Sequence, residues 1–572
     1  MGFARTCSVA LIGVEGVVVE VQADLEPGVA AFALVGLPDK SLVESRDRVR
    51  AAIVNSGETW PQKKLTVGLS PASVPKGGSG FDLAVACAVL AASGRIAPSA
   101  IADLMMIGEL GLDGRVRPVR GVLPAVLAAA DAGYRQVVVP ERTTSEAALV
   151  PGVSVLGVRS LRQLVAVLND EAVPEEPDES AGRERPDPML AGLAVPGGGA
   201  GAGLGAGGGP GAFAGTGFGG GGFGSAEFAA AGGGGPGADQ HRPDLADVAG
   251  QRAARLALEV AAAGGHHLYL NGPPGAGKTM LAERLPGILP PLTRQESLEV
   301  TAVHSVAGIL PTGRPMVDAP PYCAPHHSAT MPSLVGGGSG LPRPGAVSLA
   351  HRGVLFLDEA PEFSSQSLDA LRQPLESGHV IVARAAGVIR LPARFMLVLA
   401  ANPCPCGRYS VLGGGCDCSP SAVRRYQARL SGPLLDRVDL RVDVEPVSRA
   451  ELIGPGGVGT PGEPSAAVGA RVLEARARAA ARYQDTPWRL NSEVPGHELR
   501  TRWHVAAGAL RAVERDMERG LLTARGLDRV LRVAWTVADL AGADCPTPEH
   551  VLLALQLRTG VNRGVPAVTG GV

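Results

Sequence analysis

Apolar and polar positions first form a readable pattern at the amino terminus. MGFARTCSVALIGVEGVVVEV is apolar enough for an export signal, but Glu15 and Glu20 interrupt it and no small-residue cleavage site follows. A pair of β-strands is the better reading. Through about residue 170, short Val/Leu runs alternate with helical stretches, as in an α/β or α+β domain. GELGLDGRVRPV predicts a hairpin turning at Asp113-Gly114, and GVLPAVLAAADAGYRQVVVP predicts a helix followed by a strand. Near the carboxyl end, AAVGARVLEARARAAARY, WHVAAGALRAVERDM and GLDRVLRVAWTVADLA repeat their apolar positions at helical spacing. Thr547 and Pro548 open a final helix as N-cap and first-turn residues.

Between these regions the pattern stops. From residue 171 to about 240, an acidic, Pro-rich piece runs into a long Gly-rich tract. Such a segment buries too little apolar surface to offset its backbone entropy, so a disordered linker is expected. A second break, GPGGVGTPGEP at 454–464, precedes the helical tail. The expected organisation is an amino-terminal domain at 1–170, the linker at 171–240, a core at 241–446 and a helical domain at 465–572.

Composition narrows the class. With 45% hydrophobic and 19% charged residues, the 572-residue chain fits a globular, multidomain protein. A net charge of -2 provides no bulk attraction to nucleic acid, so any such binding needs a local basic patch. No apolar run reaches the roughly 18 residues of a membrane span. A cytoplasmic location with reduced thiols is therefore expected.

The chemistry sits in the middle. LYLNGPPGAGKTMLAERL holds Gly272, Pro273, Pro274, Gly275, Ala276, Gly277, Lys278 and Thr279 between an apolar strand and an amphipathic helix. This is the phosphate-loop pattern in its proper context. Glycines let backbone N–H groups close around phosphate oxygens at a helix N-terminus. Lys278 is expected to reach the β and γ phosphates of ATP, and Thr279 to hold Mg²⁺. Lys278 is also the only lysine after Lys76. In RGVLFLDEAPEF, a buried strand ends in Asp358, suited to Mg²⁺, and Glu359, suited to polarising the attacking water. In FMLVLAAN, Asn402 ends another strand, placed to hold that water. Arg437 in LSGPLLDRVD and Arg525 in TARGLDRV are candidates for further phosphate contacts.

This ordered set resembles the AAA+ ATPases, and within them the magnesium-chelatase-like group. APHHSAT, LVGGGSGLPRPGAVSLAHRGVLFLDEAPEF, PLESGHVIVARAAGVIRLPARF, NPCPCG and LSGPLLDRVD carry the likeness. VGLPDKSLVESRDRVRAAIVNSG and GGSGFDLAVACAVLAASG are similar to the YifB/ComM family. The resemblance implies an α/β multidomain protein. Its parts are a Lon-protease-like (ribosomal S5 domain 2-like) amino-terminal domain, an AAA+ P-loop NTPase core and a carboxyl-terminal helical lid. It further implies a homo-hexameric ATPase acting on single-stranded or branched DNA, in branch migration, recombination or natural transformation. Arg437 falls on the family's arginine-finger segment and Arg525 on its sensor-2 helix. A chelatase-type or chaperone-type ATPase that remodels a protein partner is the alternative. The sequence departs from Lon at PKGGSGFD: Gly80 stands in the serine register, Ser79 comes one residue early, and GVLPAVLAAA lacks the dyad lysine. Without that base no peptidase activity is expected.

Two features remain. Cys404, Cys406, Cys416 and Cys418 follow Asn402 as two Cys-x-Cys pairs. Four thiolates suit a closed structural zinc site; free thiols and redox pairs are the alternatives. HVIVARAAGVIRLPARF reads as a hairpin, which the resemblance places at the central pore. Arg384 and Arg390 would there track a phosphate backbone. Arg424, Arg425, Tyr426 and Arg429 form a second basic patch beside the cysteines.

Overall fold

The computed structural model describes residues 2–36, 40–174, 227–229, 243–311, 313–338, 342–384, 387–409, 415–447 and 462–560. The expected linker lies outside the described residues except for 171–174, which take no regular structure, and Glu227–Ala229, which form a short strand. Most of the second Pro/Gly break also lies outside them.

The amino-terminal strand pair is present. β1 (Gly2–Ile12) and β2 (Glu15–Glu26) pair antiparallel from Gly2↔Leu25 to Ile12↔Glu15. Their turn is Gly13-Val14, with Gly13 at φ +70, a conformation that costs glycine little. With β3 (Ala31–Val35), β4 (Lys64–Ser70), β5 (Leu104–Met106), β6 (Gln136–Pro140) and β7 (Ser154–Val158), they build a seven-stranded sheet ordered β3-β4-β2-β1-β5-β6-β7. The expected hairpin forms as Glu109–Leu110 against Val116–Arg117. Three helices named here belong to this region: α1 (Lys40–Asn55), α2 (Asp82–Ala92) and α3 (Val122–Asp131). Every residue of α2 is buried. Its one charge, Asp82, is met by Arg48 at 2.8 Å, as a buried carboxylate requires.

A second sheet carries the middle of the chain. Its strands are β8 (Glu227–Ala229), β9 (Leu268–Asn271), β10 (Tyr322–Ala324), β11 (Val354–Leu357), β14 (Met396–Ala401) and β15 (Leu440–Asp443). The order is β8-β10-β11-β14-β9-β15, parallel except for β8. β11 and β14 are buried throughout, which explains their unbroken apolar runs. β12 (His379–Arg384) and β13 (Gly387–Pro392) form the expected hairpin apart from this sheet.

The two regions pack together through the hairpin and through helices. The Gly13 turn sits against Ile389 and Leu391 of β13. α3 packs on α7 (Arg294–Ala307). Glu146 there receives hydrogen bonds from the Ser305 hydroxyl and, at 2.7 Å, the Leu123 N–H.

The tail is helical, with one departure. α9 (Ser465–Arg482), α10 (Ala524–Leu540) and α11 (Pro548–Thr559) match the apolar periodicity, and Thr547 caps α11. In WHVAAGALRAVERDM, however, the helix begins only at Arg511. Ala506 N–H bonds the Pro546 carbonyl and Gly508 has φ +73, so tertiary pairing replaces the first helical turns. Among the described residues, no helix is long and apolar enough to cross a membrane.

Asp439, immediately before β15, ties this tail to the second sheet. It is buried, pairs with Arg529 of α10, and lies 3.4 Å from His266 Nδ1. Burial alone would raise its pKa, yet Arg529 and His266 hold it well below the ordinary carboxylate range. Asp439→Ala should therefore cost about 3–5 kcal/mol, because it leaves a largely buried guanidinium without its partner. The check is a lower urea midpoint at unchanged slope. A depressed carboxylate contributes stability above its unfolded pKa, near 4, and that share fades as pH falls through the lower folded value. The wild type should thus lose stability toward acid, and the variant should lose less.

Candidate active site

The carboxyl ends of three adjacent strands converge, which is where open parallel sheets bind ligands. β9 leads through residues 272–277 into α6 (Lys278–Arg284). A side chain at Gly272 would strike the Val444 carbonyl oxygen at 2.2 Å. Gly277 has φ +93 at the helix start. The loop therefore requires glycine for both close approach and left-handed backbone. At Gly275 an added Cβ would meet nothing within 4 Å, so the cradle is open on that side.

Lys278 is buried, with Nζ 2.7 Å from the Gly272 carbonyl, 2.9 Å from that of Pro273 and 3.0 Å from Asn402 Oδ1. Burial lowers its pKa, opposed by the charges of Asp358 and Glu359. The Thr279 hydroxyl donates to Asp358 Oδ2 at 2.6 Å. A hydroxyl and a carboxylate so placed fit the donor set that holds Mg²⁺ beside a phosphate loop. Glu359 is exposed and takes φ +48, an uncommon conformation for a non-glycine residue and one that gathers at functional sites. Lys278, Thr279, Asp358 and Asn402 thus form one connected group, with Glu359 next to it.

Arg437 stands elsewhere. It precedes β15, whereas the loop, Asp358 and Asn402 follow their strands. The four residues of β15 span roughly 13 Å, so Arg437 lies at the opposite edge of the sheet. Its guanidinium donates to the Pro433 carbonyl at 2.6 Å and pairs with Glu376. Both residues border a groove of about 670 Å³ that Arg476 and Arg529 also line. Arg525 is exposed in the first turn of α10, with no hydrogen-bond partner among the described residues.

Two further contacts at the site are not legible in the sequence. Gln251, in left-handed backbone at φ +49, donates through Nε2 to the Ala276 carbonyl at 3.1 Å and to that of Glu445, clamping the loop from upstream. His327 places Nδ1 3.5 Å from Glu359 Oε2. His327 belongs to the PHH tract, which signals a loop with histidines, but nothing local in it points to Glu359.

The four cysteines do come together. Cys404 Sγ lies 3.3 Å from Cys406 Sγ and 3.8 Å from Cys416 Sγ, and Cys406 lies 3.5 Å from Cys416. All four sulfurs lie within 4.8 Å of one another. The Arg408 backbone N–H and then Cys404 lower the Cys406 thiol pKa to about 6.

Known proteins resemble the chain along nearly its whole length. Residues 244–452 match a family model described as magnesium chelatase, subunit ChlI, and 462–558 match its C-terminal counterpart. Residues 21–143 match a model described as subunit ChlI of Mg-chelatase. Competence protein ComM of Haemophilus influenzae is 36% identical over 98% of this chain and 98% of its own length. YifB of Escherichia coli is 36% identical over 96% of each chain. The chain belongs to the YifB/ComM family of magnesium-chelatase-like proteins. A further relative, an uncharacterized protein of Mycobacterium tuberculosis, is 47% identical over 98% of this chain and 100% of its own length. YifB/ComM membership makes the chain an AAA+-type ATPase with an α/β fold, a class that uses ATP and Mg²⁺ and assembles into oligomers.

Proposed function

We propose that this YifB/ComM-family chain is a cytoplasmic, homo-hexameric motor that hydrolyses ATP to move along single-stranded or branched DNA. One observation carries the reading: Lys278, Thr279, Asp358 and Asn402 meet at one edge of a parallel sheet, and Arg437 lies at the other. In this reading the core comprises residues 241–446 and the helical lid 465–572, with 171–240 as a spacer. The chain's own residues divide the work. Backbone N–H groups of the loop and the Lys278 ammonium bind the triphosphate. Thr279 and Asp358 would hold Mg²⁺, which supplies charge neutralisation between the β and γ phosphates. Glu359 accepts a proton from the attacking water while Asn402 orients it. Arg437 reaches a neighbouring subunit's γ phosphate, and Arg525 contacts the nucleotide from the lid. Cys404, Cys406, Cys416 and Cys418 would hold a structural zinc ion.

The hairpin supplies the grip on DNA. Arg390 is exposed on β13, and Arg384 ends β12 opposite Gly387. Residues 1–170 are read as a Lon-like domain without peptidase function, since the Ser79 hydroxyl bonds Glu109 rather than a lysine.

ATP turnover measured with branched DNA, single-stranded DNA, casein or no polymer tests the reading. Either DNA should stimulate turnover, whereas casein should neither stimulate it nor be cut. Arg384→Ala with Arg390→Ala should abolish the stimulation, spare basal turnover and lower the salt slope of DNA binding by about 1 per arginine removed. Stimulation by casein alone would favour the protein-remodelling alternative.

A further inference from the structure

We infer that the four-cysteine cluster is a zinc clip that positions the catalytic loop, so that zinc occupancy sets the rate of ATP cleavage. The inference rests on the nucleotide-site reading above and adds a function for the metal.

The first support is the sulfur geometry. Zn–S bonds of about 2.3 Å place the sulfurs of a tetrahedral site about 3.8 Å apart. The separations of 3.3, 3.5 and 3.8 Å lie close to that edge. They are well beyond the roughly 2.05 Å of a disulfide.

The second support is the position of the cluster against the site. Only Pro403 separates Cys404 from Asn402, whose side chain bonds Lys278 at 3.0 Å. One residue after Cys406, Gly407 packs on the phosphate loop so closely that an added Cβ would stand 2.3 Å from Pro274 Cδ. Gly407 also has φ +76, and its N–H bonds the Cys404 carbonyl at 3.0 Å. From the other side, α8 (Pro420–Gln427), which starts two residues after Cys418, returns Gln427 Nε2 to the Pro403 carbonyl at 3.1 Å. Both ends of the clip are thus fastened to the segment carrying Asn402. A metal joining them fixes that segment against Pro274; without it, only weak S–H contacts link the thiols and the segment can shift. Gly407 and Gln427 are positioning residues in this arrangement, acting through Asn402 and Pro274.

The test uses the full-length chain purified without added zinc. Mass spectrometry should find about one zinc per chain, and cobalt exchange should give the visible absorption of a tetrahedral thiolate site. Stripping zinc should lower kcat by about 10- to 100-fold, the usual range for lost positioning contacts. Affinity for a fluorescent ATP analogue should change far less, and added zinc should restore kcat. If the stripped protein unfolds, Gln427→Ala decides, because it keeps all four thiols and adds no atom beside the phosphate loop: zinc content should stay while kcat falls. Normal kcat in that variant, or in stripped and folded protein, overturns the coupling yet leaves the zinc and ATP readings standing. Protein with neither zinc nor a cobalt spectrum, or with a disulfide among these cysteines, overturns the clip and leaves the ATP site untouched.

Discussion

Lys278→Ala protein should lose ATP turnover by at least about 10²- to 10³-fold, the scale of removing one preorganised charge donor from a reacting centre. The ammonium is buried and bonds two carbonyls of its own loop together with Asn402, so it is held where the triphosphate would enter. Burial lowers its pKa, and the two acids of the site oppose this, favouring the charged form. No other cation of its type can take over, because Lys278 is the only lysine after Lys76. Arginine would not fit the same carbonyl cradle, since its planar fork spreads donors where the loop presents a point site. Turnover by phosphate release and affinity for a fluorescent nucleotide should fall together. Retained turnover at the wild-type rate would remove the foundation of the proposed mechanism. A structural loss should show in the urea midpoint, which this substitution should change little.

Local features of the site were legible in the sequence, and its long-range features were not. Residues 272–279 announce themselves because glycine, lysine and threonine at that spacing serve one short loop. The all-apolar runs at Val354–Leu357 and Met396–Ala401 announce buried strands for the same local reason. Strand order is another matter: β14 lies between β9 and β11, an arrangement set by packing across more than 100 residues of sequence. Gln251 escaped notice because it reaches the loop from 25 residues upstream through a left-handed backbone. The helix expected at residues 503–517 begins late because Ala506 finds a tertiary partner in Pro546 that periodicity does not register. The cysteine spacing left three chemistries open. The sulfur separations supply a distance scale that separates a metal site from a disulfide.

Arg437→Ala should lower kcat by about 10³- to 10⁵-fold, the range for a missing arginine finger, while leaving nucleotide affinity nearly unchanged. The prediction follows from position more than from residue type. Arg437 lies before β15, on the edge of the sheet away from the phosphate loop, so it cannot complete its own subunit's site. Glu376 and the Pro433 carbonyl hold its guanidinium at the mouth of a groove, and its Nε is buried without a hydrogen-bond partner. An arginine kept there with part of its hydrogen-bonding capacity unused suits a ligand from outside the chain. A mixing experiment separates action on a neighbour from action at home. Lys278→Ala and Arg437→Ala proteins should each be inactive alone. In mixed oligomers, a Lys278→Ala subunit offers an intact Arg437 to the intact phosphate loop of an Arg437→Ala neighbour. Turnover should therefore reappear on mixing, rising with the fraction of mixed interfaces. Arg437 acting within its own subunit predicts no recovery, because no chain in the mixture carries both residues. Lysine at position 437 should recover only part of the activity, as its point charge cannot reproduce a planar, two-pronged contact with phosphate.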